Sequence, residues 1–263
     1  MTYEKILYEK QDGIAFITLN DPANRNTISG SVVEELGCCL DDCSDDPAVR
    51  VVVIRGAGGN FSAGGNINVM KERIEQGRHE DFKPGMRRLG AVASKIRAIR
   101  KPVIASMQGA AAGGGLSMAL LCDFRIAAED AKFIFAFVNI GLIPDCGGLL
   151  PLVKIVGTAK ATELLMTAKL FSGKEAFDMG LVNEAAPASQ LEEATLKLAR
   201  KLAGGPTLAY GRIKALINRT SFGDLEMELD NETDYQVLSA QTEDHKEGIN
   251  AFLEKRKPVF QGR

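Results

Sequence analysis

Tryptophan is absent from this chain of 263 residues, and histidine occurs only at His79 and His245. Two histidines so far apart in sequence give little support for a zinc site or for a Cys/His nucleophilic pair. The five cysteines are an odd number and include no CxxC pair. We therefore expect reduced, mostly buried thiols, with neither a disulfide framework nor a metal centre.

An excess of charge of one sign is also lacking, because 32 Lys and Arg residues stand against 34 Asp and Glu residues. This balance does not fit a nucleic-acid partner, although a local anion site remains possible. No uncharged apolar run is long enough to span a membrane, and the longest candidate, 102–122, is interrupted by glycines and Gln108. The first residues lack the pattern of a secretory signal. We expect a cytoplasmic protein that binds neither nucleic acid nor membranes.

What the sequence does contain is an alternation of strands and helices over its first 190 residues. Apolar runs predict strands at 14–19, 49–54, 102–107, 123–127 and 132–137. Helical spacing predicts helices at 29–42, near 86–99, within 110–121 and from 144 to 156. The alternation indicates an α/β architecture with parallel strands. Residues 71–88 are interpreted as a mobile surface segment, and the chain after about 190 as helices packed on the core or on a partner.

Two glycine-rich turns are the first candidates for chemistry, FSAGGN at 61–66 and QGAAAGGGL at 108–116. Glycines at a strand-to-helix turn let the backbone approach a ligand and leave N–H groups pointing outward. Two such turns can direct two donors at one oxygen, which is the geometry of an oxyanion hole. Taken alone, either turn is better explained by tight packing. The second turn is not a phosphate-binding loop, because no Gly-Lys-Ser/Thr sequence follows it.

The third candidate is Asp145, within GLIPDCGG at 141–148. Its ordinary interpretation is a carboxylate at the start of a helix, which the residues alone favour. The alternative is a catalytic base whose pKa is raised by an apolar wall. That wall would consist of Phe133, Phe135, Phe137 and Ile143. Cys146 is a conceivable nucleophile, but a packing thiol is the commoner role.

Five segments, taken together and in order, resemble the enoyl-CoA hydratase/isomerase, or crotonase, family. They are LNDPANRN (19–26), FSAGGNI (61–67), KPVIASMQGAAAGGG (101–115), CDFRIAAEDAKF (122–133) and EGINAFLEKRKPVFQGR (247–263). The resemblance implies an α/β, crotonase-like spiral of ββα repeats, predicted at 1–195, and a C-terminal helical oligomerisation region at 196–263. It also implies a homotrimer, or a hexamer built as a dimer of trimers. The implied ligand is an acyl-CoA thioester, so that coenzyme A is part of the substrate and no cofactor is bound permanently.

The resemblance assigns candidate roles by position. It implies that the N–H groups of Gly65 and Gly114 hold the thioester oxygen, and that Ala63 and Ile67 contact the adenine end through their backbone. Three weaker matches for contacts with CoA are Arg25, Lys255 and Phe260. Lys255 and Phe260 lie in the tail, which in this family sometimes contacts the CoA of an adjacent subunit. The residues expected to line the substrate pocket are Met70, Ser117 and Phe137.

Ser117 and Phe137 stand where hydratases of this family carry two glutamates. Serine is a poor acid or base at neutral pH, and phenylalanine is neither. The resemblance therefore favours an isomerase that uses the single carboxylate of Asp145. It is closest to the 1,2-epoxyphenylacetyl-CoA isomerase branch and to the Δ3,Δ2-enoyl-CoA isomerases. Such an enzyme shifts a double bond, or rearranges a ring, in an acyl-CoA.

Several alternatives stay open. On the same fold the protein could be a hydratase, a decarboxylase, a hydrolase, or a dehalogenase with Asp145 as its nucleophile. The dehalogenase is disfavoured because its usual Trp and His helpers are missing. From another class, a non-catalytic acyl-CoA-binding protein would tolerate the substitution Asp145→Ala. A nucleotide-binding module would bind ATP tightly and would not respond to thioesters.

Overall fold

The computed structural model describes residues 3–28, 30–78 and 81–263. The strands are β1 (Ile6–Gln11), β2 (Ile14–Leu19), β3 (Val51–Gly56), β4 (Val103–Met107), β5 (Ala110–Ala112), β6 (Phe124–Ala128), β7 (Lys132–Ile134), β8 (Phe171–Ser172) and β9 (Glu184–Ala186). The α-helices are α1 (Ser31–Asp45), α2 (Ile67–Glu75), α3 (Phe82–Ala98), α4 (Gly114–Leu121), α5 (Leu149–Thr167), α6 (Gly173–Asp178), α7 (Leu191–Ala203), α8 (Thr207–Ser221), α9 (Leu225–Ala240) and α10 (Glu243–Leu253).

A six-stranded sheet within the described residues has the order β1-β2-β3-β4-β6-β9. Its strands β2, β3, β4, β6 and β9 run parallel, and β1 pairs antiparallel with β2. The apolar run Val51–Ile54 is buried completely, as expected for a strand with both faces of the sheet covered. The predicted α/β architecture with parallel pairing is confirmed.

A second, smaller sheet of β5, β7 and β8 gives the fold its repeat. β4 is followed by β5 and then by α4. β6 is likewise followed by β7, by a 3₁₀ helix at Ala136–Ile140, and by α5. Each unit therefore adds one strand to each sheet and then a helix, which is the ββα repeat of the expected spiral. The glycine-rich turn before α4 and the turn before α5 occupy equivalent places in successive units.

The hairpin of β1 and β2 was absent from the sequence prediction, which contains only its second strand. The two strands are joined by Asp12 and Gly13, both with positive φ. An Asp-Gly pair between strands is typical of a tight hairpin turn, because both positions need the left-handed conformation. The signal for β1 was therefore present in the sequence.

The prediction of a mobile surface segment at 71–88 is wrong for most of that range, which α2 and α3 occupy. The side chain of Asn66 caps α2 by accepting hydrogen bonds from two N–H groups of its first turn. α3 buries Met86, Val92 and Ile96 at helical spacing, which the surrounding charged residues obscure in the sequence. His79 lies within this segment but outside the described residues. Ser29, at the predicted start of α1, also lies outside the described residues.

The helix predicted from residue 144 begins later, at Leu149. Cys146 and Gly147 both have positive φ, which a right-handed helix does not allow. Residues 144–148 therefore form a turn in front of α5, and Asp145 belongs to that turn. The strand predicted at 132–137 is also shorter, since the chain passes into the 3₁₀ helix after β7.

The helical tail expected after about 190 is present as α7 to α10. α7 packs on the large sheet, α9 packs on α3, and α10 packs on α2 and the 3₁₀ helix. The tail thus packs both on the large sheet and on the helices α2 and α3. The boundary at residue 195 stays a prediction. In the parts of the chain that are described, no helix is both long and apolar enough to cross a membrane.

Candidate active site

The two glycine-rich turns predicted from the sequence lie against each other. Ser62 and Ala111 form a parallel β-bridge, and the N–H of Ala112 donates to the carbonyl of Ser62 over 2.9 Å. A Cβ on Gly64 would lie only 3.1 Å from the amide nitrogen of Gly114. With φ of +79°, position 64 also favours glycine for its backbone. The fold therefore brings together the two segments that the sequence analysis singled out.

Gly65 and Gly114 both line one cavity. Gly114 is the first residue of α4, so its N–H has no acceptor within the helix. Among the described residues, neither the Gly65 N–H nor the Gly114 N–H donates to a protein acceptor. Two unpaired peptide donors at one cavity are what an oxyanion hole requires.

The cavity is small, about 70 Å³, and mostly apolar. Its apolar side chains are Ile28, Val33, Val69, Met70, Phe82, Met86, Leu89 and Leu142. The terminal methyl group of Met70 lies directly over Gly65. Because methionine side chains are unbranched and flexible, this group can move when a ligand enters. Much of the lining comes from α2, which contains the predicted pocket residue Met70, and from α3, which the sequence does not predict to belong to the site.

The apolar wall beside Asp145 therefore consists of other residues than expected. Phe133 and Phe135 are buried against Phe171, with ring centroids 5.8 Å and 6.2 Å apart. Phe137 is buried as well, but it is not one of the lining residues. The expectation of an apolar environment agrees with the structure, whereas the side chains proposed to provide it do not.

Asp145 is the only carboxylate among the described residues that line the cavity. Its Oδ2 accepts a hydrogen bond from Nε2 of Gln236 over 3.3 Å. Its Oδ1 is inaccessible to solvent and accepts no hydrogen bond from a nitrogen or oxygen donor of the described chain. A Cβ on Gly114 would lie 3.0 Å from this Oδ1. The carboxyl group is therefore next to one of the two unpaired peptide donors.

Burial raises the pKa of Asp145 from 3.8 to about 6, against hydrogen bonds from the Cys146 thiol and the Gln236 amide. A carboxyl group with such a pKa can both accept and release a proton near neutral pH. Burial, with the charges of Asp145 and Glu232, raises the pKa of Cys146 well above its usual value, which makes this thiol a poor nucleophile. No group of three metal-ligating side chains occurs among the residues described.

Of the three residues predicted for the substrate pocket, Met70 lines the cavity and the other two lie behind its wall. Ser117 is buried against Gly148. The Phe137 ring lies 3.6 Å from the position that a Cβ on Gly113 would occupy. Both side chains therefore pack against glycines close in sequence to the lining residues Gly114 and Cys146.

The residues predicted to contact CoA lie outside the cavity. The N–H of Ala63 donates to the carbonyl of the exposed Arg25 over 2.9 Å, which places both beside the first glycine-rich turn. Ile67 follows that turn as the first residue of α2. Lys255 and Phe260 are exposed in the tail after α10, and the fold does not bring them to the cavity. Their contacts with CoA stay predictions.

The sequence analysis missed two buried side chains of α9, Glu232 and Gln236. Gln236 lines the cavity, and Glu232 accepts a hydrogen bond from the N–H of Gly147 over 2.8 Å. Polar residues follow one another from 230 to 236, so their spacing does not reveal which of them face the interior. Only the packing of α9 distinguishes these two from their solvated neighbours.

Comparison with known proteins places this site in context. Residues 9–263 match the family model described as enoyl-CoA hydratase/isomerase. The chain is 35% identical over 261 residues to the 1,2-epoxyphenylacetyl-CoA isomerase of Escherichia coli (strain K12), covering 99% of both chains. It is 36% identical over 265 residues to the crotonyl-CoA hydratase of Syntrophomonas wolfei, again covering 99% of both. A solved enoyl-CoA hydratase from Mycobacterium avium subsp. paratuberculosis has a TM-score of 0.90 at 31% identity, covering 99% of this chain and 100% of that one.

The buried carboxyl group predicts an effect of pH on stability. Because the pKa of Asp145 is higher in the folded chain than its usual value of 3.8, folding favours the protonated form. Its contribution to the free energy of unfolding is therefore full below about pH 4 and falls as the pH rises through about 6. The difference in pKa corresponds to roughly 3 kcal/mol. We expect Asp145→Asn to be more stable than the unmodified chain at about pH 7.5, with little difference near pH 4.

Urea unfolding at several pH values measures this effect. The matched control is Asp178→Asn, which removes an exposed carboxylate from a surface ion pair with Lys174. A stability difference for Asp145→Asn that is the same at both ends of the pH range would contradict the raised pKa.

Proposed function

The chain belongs to the enoyl-CoA hydratase/isomerase family, and we propose that within this family it is an acyl-CoA isomerase. It moves a double bond, or rearranges a ring, in an enoyl-CoA thioester. The observation that carries this proposal is the presence of one carboxylate, Asp145, in a cavity that also contains the unpaired N–H groups of Gly65 and Gly114. The relative named as an isomerase supports it further.

Moving a double bond requires that a proton leave one carbon and return to another. In the proposed reaction, Asp145 removes a proton from the carbon between the thioester carbonyl and the double bond. The electrons of that C–H bond delocalise into the carbonyl, and a dienolate forms with its charge on the thioester oxygen. The protonated Asp145 then returns the proton to the far end of the conjugated system, the double bond shifts, and the carbonyl is restored.

The N–H groups of Gly65 and Gly114 are proposed to stabilise the dienolate. Peptide donors fixed by the fold need no reorganisation when charge develops, so they bind the transition state better than the substrate. Losing one such donor typically costs a factor of roughly 10²–10³ in turnover. The Asp145 carboxyl lies beside Gly114. This position supports a substrate pose in which Asp145 reaches the reacting carbon while the Gly114 N–H donates to the thioester oxygen.

Hydration is disfavoured by the same cavity. Addition of water in the usual way uses two carboxylates, and Ser117 and Phe137 replace them here. Glu232 is buried near Asp145 but is not among the residues that line the cavity. A mostly apolar wall also excludes water from the intermediate, which favours return of the proton.

The proposal also includes contacts with CoA and assembly into a homotrimer or a hexamer. Arg25, Ala63 and Ile67 lie beside the first glycine-rich turn, which supports contacts with CoA there. For Lys255 and Phe260, exposure in the tail is compatible with contacts in an adjacent subunit. Exposed apolar side chains on α8 to α10 support a trimerisation region at 196–263; they are Leu208, Ile213, Leu216, Ile217, Met227, Tyr235, Leu238 and Phe252.

Asp145→Asn tests the proposed base. We expect turnover of every accepted substrate to fall by roughly 10²–10⁴, because the amide keeps the shape of the side chain but cannot accept the proton. The measurement is a screen of 3-enoyl-CoA esters of several chain lengths and of a ring-bearing CoA ester, with Asp178→Asn as the control. Unchanged turnover in Asp145→Asn would show that another group is the base. Release of free CoA would indicate a hydrolase, and binding without turnover would indicate a non-catalytic acyl-CoA-binding protein.

A matched pair of variants at Gly114 tests the oxyanion donor. Gly114→Pro removes the N–H, and proline is tolerated at the first position of a helix. Gly114→Ala adds a similar Cβ beside Asp145 and Cys146 but keeps the N–H. We expect kcat of the proline variant to be roughly 10²–10³ lower than that of the alanine variant. Equal kcat values for the two variants would contradict the role of this N–H.

A further inference from the structure

One face of α9 holds the turn that carries Asp145. Glu232 and Gln236 are one helical turn apart, so they lie on the same face, and both are buried. Gln236 contacts the turn at Ile143 and Asp145, and Glu232 contacts it at Gly147. Two side chains of one helix therefore bracket the carboxyl group from both sides along the chain.

The backbone of Ile143 fixes the orientation of the Gln236 amide. Oε1 of Gln236 accepts from the N–H of Ile143 over 3.0 Å, and Nε2 donates to the carbonyl of Ile143 over 3.1 Å. If the amide were flipped, its NH₂ group would meet the Ile143 N–H, and its oxygen would meet the carbonyl. The second hydrogen of Nε2 is therefore directed at Oδ2 of Asp145.

This orientation makes the two oxygens of Asp145 chemically different. Oδ2 faces an N–H donor, which pairs best with an oxygen that carries no proton. Oδ1 has no such donor, is inaccessible to solvent and lies beside Gly114. The Gln236 amide therefore holds the carboxyl group in one orientation, with Oδ2 engaged.

Glu232 holds the other end of the turn. Its Oε2 accepts from the N–H of Gly147 over 2.8 Å, just before α5 begins. Burial raises the pKa of Glu232 to about 8 against this hydrogen bond, and the charges of Asp145 and Glu228 add to the rise. The raised pKa favours the neutral form of Glu232, and its role near Asp145 needs only an oxygen acceptor.

We infer that Gln236 and Glu232 are positioning residues, which hold the Asp145 carboxyl group in one orientation at the cavity for proton exchange with substrate. This inference rests on the proposed function of Asp145 as the base. Gln236 acts by engaging Oδ2, and Glu232 acts by fixing the backbone after Asp145. Neither residue transfers the proton itself.

Gln236→Met is the first test, because methionine is similar in length and flexible but cannot donate a hydrogen bond. We expect kcat to fall roughly ten- to hundredfold, since a carboxyl group that rotates is less often aligned for transfer. KM should change by less than about threefold. The acid limb of kcat/KM should move to higher pH, because the Gln236 hydrogen bond lowers the pKa of Asp145. The control is Gln241→Met at the exposed end of α9.

The pH profile of kcat/KM also depends on the other polar and charged groups near Asp145. These groups are Cys146 on its own turn, Glu232 and Gln236 on α9, Arg73 on α2 and Arg88 on α3. All except position 236 are unchanged in Gln236→Met, so a moved acid limb reports the lost hydrogen bond. Loss of packing alone would lower the melting temperature without moving that limb. A folded Gln236→Met enzyme with wild-type kcat and an unmoved limb would overturn the role of Gln236.

Two variants of Glu232 complete the test. Glu232→Gln keeps an oxygen acceptor for the Gly147 N–H without a charge, and we expect kcat at neutral pH within about twofold of wild type. Glu232→Ala removes the acceptor and should lose at least about tenfold. If Glu232→Ala does not fold, Glu232→Gln alone decides, because a folded but inactive Gln variant would overturn a role that needs only an acceptor.

Asp145→Asn, assayed in parallel, distinguishes a failure of the positioning role from a failure of the proposed base. An inactive Asp145→Asn enzyme together with fully active Gln236→Met and Glu232→Ala enzymes would overturn the positioning role and leave the base in place. An active Asp145→Asn enzyme would overturn the proposed function itself.

Discussion

One cavity contains a buried carboxyl group and two unpaired peptide N–H groups, and the rest of this structure depends on this constraint. Removing Asp145 from water destabilises its charged form and raises its pKa toward neutrality. The N–H groups of Gly65 and Gly114 are left without protein acceptors, although most buried backbone donors are paired. The burial of Asp145 costs stability at neutral pH. In the proposed reaction, a thioester oxygen that becomes negative in the transition state would be the partner of both N–H groups.

The fold meets this constraint by placing equivalent turns of successive ββα units against each other. The turn before α4 contributes Gly114, and the turn before α5 contributes Asp145. Positive φ at Cys146 and Gly147 delays the start of α5, and this keeps Asp145 at the cavity instead of inside a helix. The helix α9 then fixes the turn from the opposite side. The cavity thus combines three groups from segments that are far apart in sequence.

Much of this site could be predicted from the sequence, because glycine-rich turns and the segment around Asp145 carry local signals. The parallel sheet could also be predicted, because apolar runs such as Val51–Ile54 are local signals as well. Gln236 could not be found this way, since a buried glutamine in a polar stretch of helix differs from an exposed one only through tertiary packing. The lining from α3 was hidden similarly, because Met86 stands among charged residues. The aromatic wall was misplaced, because Phe133 in β7 and Phe135 just after it both pack on Phe171.

The central claim is that one carboxylate moves a proton along the acyl chain without adding water. Incubating the purified protein with a 3-enoyl-CoA in deuterated water, followed by mass spectrometry and NMR of the product, tests it most directly. The account predicts a 2-enoyl-CoA in which the double bond has shifted, without oxygen from solvent. Some deuterium is expected in the product, because a protonated Asp145 can exchange with solvent before the proton returns. A 3-hydroxyacyl-CoA formed as the direct product would contradict the account.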